Sequence, residues 1–116
     1  MRESTMMQLQ YATAVLAIGL VALHLLMQGV LVPYGEAVSF QHVLSVYRNA
    51  VDGALLETLL IVVLAHGFNG LRIILLEWRQ SAAWTRGVNW AVLLVTLLAI
   101  SYGTRTVLLA AAGQVG

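Results

Sequence analysis

VDGALLETLLIVVLAHGFNGLRIILL, residues 51–76, decides the fold. It is an almost unbroken apolar run, interrupted by few charges (Asp52, Glu57, Arg72). A helix needs about 20 such residues to cross a hydrocarbon core. Upstream, a second run of that length extends from about Tyr11 to Val32 and stops at Pro33-Tyr34-Gly35. Downstream, a third extends from about Val88 to Ala112. Three transmembrane helices are expected, near 11–32, 51–76 and 88–112, forming a single membrane domain over residues 1–116. The first run is too long for a signal-peptide core and no small-residue cleavage site follows it, so it is expected to stay in the mature protein.

The connections differ in character. Glu36 to Ala50 carries Phe40, His42, Val43, Val46 and Tyr47 at three- and four-residue spacing, which predicts a short helix lying in the interface. Glu77 to Gly87 is short and polar, with Trp78 and Trp84 marking, together with Trp90, the aromatic belt of a membrane surface. The expected fold is therefore an all-α integral membrane protein, three spans plus one short interfacial helix.

Composition agrees. Of 116 residues, 60% are hydrophobic and 9% charged, against roughly 45–50% and about 25% in soluble domains. That excludes a soluble enzyme and a disordered tail. A net charge of +1, spread over scattered arginines, builds no basic patch and excludes a nucleic-acid partner. The absence of cysteine removes disulfides, thiolate metal sites, iron–sulfur ligation and covalent haem attachment. Arg2, Arg79 and Arg86, with Arg72 nearby, fall on one side of the three spans, and Arg48 with Arg105 on the other. The positive-inside rule then predicts a cytoplasmic N-terminus in a multi-pass protein of the cell membrane.

Ionisable residues inside apolar spans are functional candidates, because burying them in lipid is costly. His24 lies 13 residues beyond Tyr11, and His66 lies 11 before Glu77. These spacings put them about 20 and 17 Å from one face, both near mid-membrane. Three uses compete for them: axial ligation of a non-covalent haem b, an interhelical hydrogen bond, or a proton path. Gly70, one turn after His66, removes a side chain that would meet a porphyrin plane, and Asn69 offers a donor on the same face. Gln28 is one turn beyond His24 and suits the hydrogen-bond reading. His42, outside the spans, is expected at the interfacial surface. Glu57 is nine residues before His66, on the opposite face, and an ion pair with Arg105 would relieve both charges. Glu77 returns to the His66 face at the membrane surface, beside Trp78. This pair suits either a polar site for a lipid-soluble ligand or an ordinary helix end, and the chemistry alone favours the second.

The order His66, Gly70, Glu77, Trp78 resembles the His-x3-Gly-x6-Asp-Tyr pattern of the small membrane anchor subunit of succinate dehydrogenase. The run from His66 to Arg72 is also similar to the His-x-x-Asn-Gly-x-Arg of many prokaryotic anchors. The resemblance implies His66 as a haem b axial ligand. Asn69, Gly70, Arg72 and Arg105 would lie in haem pockets, the arginines facing propionates. Glu77 and Trp78 would stand where the family has quinone-site Asp and Tyr. His24 matches relatives with two haems, in which the first and second helices ligate different haems and a companion cytochrome b anchor completes each pair. Helices packed at about 8–10 Å leave no room for a bis-histidine haem between them, which also favours separate haems. The implied complex holds a flavoprotein that oxidises succinate, an iron–sulfur subunit docked near Trp78 to Arg86, and a quinone that takes the electrons. Two alternatives remain open from the residues: a cytochrome b subunit of another quinone-linked dehydrogenase, or a haem-free small membrane protein.

Overall fold

A computed structural model describes residues 3–113. Arg2, counted in the orientation argument, lies outside the described residues. Helix α1 (Glu3–Leu25) continues into a π-helical turn, Leu26–Val30. There the Leu31 N–H reaches back five residues to the Leu26 carbonyl at 3.0 Å. Short pieces α2 (Tyr34–Ala37) and α3 (Phe40–Arg48) follow, then the long helices α4 (Ala50–Trp78) and α5 (Ala82–Ala111). Three helices are long and apolar enough to cross a membrane, and the described residues contain no strand, as expected.

Two boundaries differ from the expected ones. The first span begins at Glu3, not near Tyr11, so the polar N-terminal stretch is helical. Glu3 in the first turn suits the positive end of the helix dipole, and the polar side chains that follow find partners on α4. The third span begins at Ala82, six residues before Val88, because Ser81 caps it: its hydroxyl accepts from the Trp84 N–H at 3.1 Å. Only Arg79 to Ser81 separate α4 from α5, and the Trp84 indole N–H donates to the Leu75 carbonyl at 2.7 Å across that corner. The expected single interfacial helix is two pieces. Ser39 caps the second piece, and Val46 is buried beneath it. Asn49 starts α4, its Oδ1 accepting from the N–H groups of Val51 and Asp52.

The long helices run antiparallel with α4 in the middle. It packs against α1 on one side and α5 on the other, and α1 and α5 do not touch. The result is a slab 51 by 28 by 21 Å with almost no interior of its own. Val46, Val88 and Ala110 are the buried hydrophobic residues, while side chains such as Ile18, Leu94 and Leu98 face outward. Such a surface is stable only against lipid or other membrane helices.

Candidate functional site

The α1–α4 contact sets the register that positions the candidate residues. Thr13 of α1 is buried beside His66, with its Oγ1 3.2 Å from the imidazole Nδ1. Three residues further along α4, Asn69 is buried and donates from Nδ2 to the Met6 carbonyl at 3.2 Å and the Gln10 Oε1 at 3.0 Å. At the end of the seam, Arg72 pairs with the Glu3 carboxylate and donates from Nε to the Asn89 Oδ1 of α5 at 2.7 Å. One guanidinium thus joins all three long helices.

His66 is half-buried, and its Nε2 has no hydrogen-bond partner among the described residues. Gly70 has a different use from the one expected. A Cβ there would stand 3.0 Å from the Gln10 Nε2, so the missing side chain admits α1 and does not leave open space beside His66. Two enclosed polar atoms on the neighbouring face are unpartnered, the Asn69 Oδ1 and the Arg72 Nη1. Both residues line a cavity of about 360 Å³ in the groove over α4, walled by Met6 and Leu9 of α1 and by Asn89 and Thr96 of α5.

His24 occupies a separate region. It is half-buried in the last turn of α1. It lines a cavity shared with Val46 of α3 and Leu56 of α4. Because Thr13 marks the level of His66, the 11 residues from Thr13 to His24 displace the second imidazole by about 16 Å along the bundle. The near-equal depths expected for the two histidines are therefore not what the fold produces. The earlier start of α1 shifts its register against α4. Gln28 does not serve His24 either. Its Oε1 lies 2.7 Å from the His42 Nε2, which ties α3 to the π-helical turn and makes His42 more than a surface residue.

The expected ion pair between Glu57 and Arg105 is not formed. Glu57 accepts a hydrogen bond from the Thr104 hydroxyl at 2.5 Å, and Arg105, one residue on and 100° around the helix, is exposed. Arg105 is on α5, across α4 from the helix that carries His24, and the structure brings it to neither histidine. Glu77 is exposed and lines a second cavity of about 480 Å³ at the end of the seam, with Glu3, Met7, Arg79, Ser81 and Thr85. Trp78 is 72% exposed and is not part of that cavity. The two residues of the sequence pair face different surroundings.

A family model of the succinate dehydrogenase/fumarate reductase transmembrane subunit matches residues 2–108. The chain belongs to that family. No curated protein and no solved structure matches it. As a membrane anchor subunit of such a complex it is a multi-pass membrane protein, which accounts for an apolar surface that the slab itself leaves uncovered. Sequence reasoning missed three of this anchor's site residues, Gln10, Thr13 and Asn89. Glu3, Gln10 and Thr13 are spaced by seven and three, one face of a helix, and that polar stripe in an otherwise apolar segment was the available signal.

Proposed function

We propose that this anchor binds haem b through His66 and helps pass electrons from an iron–sulfur subunit to a quinone, alongside a companion cytochrome b anchor and a flavoprotein. The observation that carries the reading is the His66 imidazole itself. It is engaged at Nδ1, unpartnered at Nε2 and set in a helix otherwise suited to lipid. A neutral imidazole held at one nitrogen is the donor that haem iron requires, and the bound haem would supply a one-electron carrier in a low-dielectric setting. The spare Nη1 of Arg72 and the Oδ1 of Asn69 are the polar atoms in the adjoining groove suited to a haem edge or a quinone oxygen.

His24 is assigned to a second haem, and its 16 Å displacement supports separate ligation. The cavity beside Glu77 suits a quinone head group entering from the membrane surface. Trp78, exposed on another face, suits contact with a partner subunit. The arginine distribution favours a cytoplasmic end for Glu3, Arg79 and Arg86.

One observation favours a haem-free reading. The Thr13–His66 contact is already the interhelical hydrogen bond that such a reading needs. A reduced-minus-oxidised spectrum with haem quantitation on the purified complex separates the two. His66→Ala should remove one haem b signal while the protein stays inserted. Full haem retention in that variant, or no haem in the parent, overturns the assignment.

A further inference from the structure

We infer that Thr13 is a positioning residue for His66: its hydroxyl oxygen accepts the Nδ1 proton and so holds the imidazole in the tautomer whose Nε2 carries the free lone pair. The inference rests on the haem reading above. The Thr13 Oγ1 has three neighbours within hydrogen-bond reach: the Leu9 carbonyl at 2.8 Å, the Gln10 carbonyl at 3.1 Å and the His66 Nδ1 at 3.2 Å. A hydroxyl has one hydrogen and two lone pairs. Both carbonyls can only accept, so the hydrogen goes to the nearer of them, the Leu9 oxygen four residues back, a common geometry for threonine in helices. What remains toward His66 is a lone pair, and a lone pair requires Nδ1 to be the protonated nitrogen.

Burial sharpens the choice. Thr13 is only 7% exposed, so water does not compete for the contact. Gln10, the nearest other amide side chain on α1, is occupied by the Asn69 Nδ2 through its Oε1. In the opposite tautomer Nε2 would carry the proton and have no lone pair for a metal. An acceptor on the distal nitrogen also raises the ligand's basicity, which favours ferric over ferrous iron. The threonine therefore acts on both the affinity of His66 for haem and the potential of the bound haem.

The test uses the assembled complex carrying Thr13→Val, which keeps the shape and removes the hydroxyl, and Thr13→Ser, which keeps the hydroxyl. Haem content and midpoint potential are measured in both. Expected for valine are a loss of haem affinity of roughly tenfold or more, a midpoint potential above that of the parent, or both. Serine should restore the parent values. A valine variant with parental haem content and potential overturns the role of Thr13 while His66→Ala still loses haem. A serine variant whose potential departs from the parent overturns it as well, and does so even if valine prevents assembly. Haem retained in His66→Ala strikes instead at the haem reading.

Discussion

The two sides of α4 are held by different means. Toward α1 the contact is a polar seam running through Glu3–Arg72, Gln10–Asn69 and Thr13–His66. Toward α5 it rests on close packing, with single hydrogen bonds near the ends. Gly103 has no side chain because Leu60 fills the place: a Cβ there would come within 2.6 Å of one Leu60 methyl and 2.9 Å of the other. In lipid there is no hydrophobic drive between helices, so small residues and polar pairs are the two available ways to join them. The anchor uses one on each side. The side that carries polar atoms is also the side that carries the candidate haem ligand. A seam of side-chain bonds fixes an imidazole's orientation, which a smooth packed contact does not.

The largest effect is expected where the packed side is broken. Gly103→Leu forces Leu60 out of its place, and overpacking of this kind costs roughly 1–3 kcal/mol. Unfolding of the purified complex in a denaturing detergent should shift accordingly, while the spectrum of any haem retained should stay unaltered. A change in the haem spectrum would mean that the two sides are not independent.

Breaking the seam at its end should matter less. Glu3→Gln leaves the Arg72 guanidinium buried with Asn89 as its remaining partner, but Glu3 is well exposed and the pair is partly screened. The expected loss is roughly 1 kcal/mol, between surface and buried pairs. It is read by the same unfolding measurement, with Arg72→Met as the contrast. Methionine removes the buried charge along with its partner requirement and should cost no more than Glu3→Gln. A much larger loss for methionine would show that Arg72 has work beyond joining the helices.

The smallest effect is expected at Thr104→Val, which removes the hydroxyl from Glu57 at the packed side. Interhelical hydrogen bonds in membranes average about 0.6 kcal/mol. Glu57 already has an unpartnered Oε2 and can take a proton in place of the lost bond. An effect as large as that of Gly103→Leu would show that the α4–α5 contact depends on polar atoms after all.

What the sequence by itself determined was what each helix can settle alone. Runs of apolar residues set the number of spans, and composition set the solvent. The hundred-degree periodicity placed His66, Asn69 and Gly70 on one face and Glu57 on the other. The spacing from His66 to Trp78 was enough to suggest the family that the comparison then established. The tertiary structure decided everything that depends on how one helix slides or turns against another. Register made Thr13 the neighbour of His66, gave Arg72 to Glu3 and Asn89, handed Glu57 to Thr104 in place of Arg105, and carried His24 some 16 Å away from the level of His66. The reason is geometric. One residue of slip moves a side chain about 1.5 Å along the axis and 100° around it. A difference of eight residues in where α1 begins was therefore invisible to hydropathy and decisive for every contact across the seam.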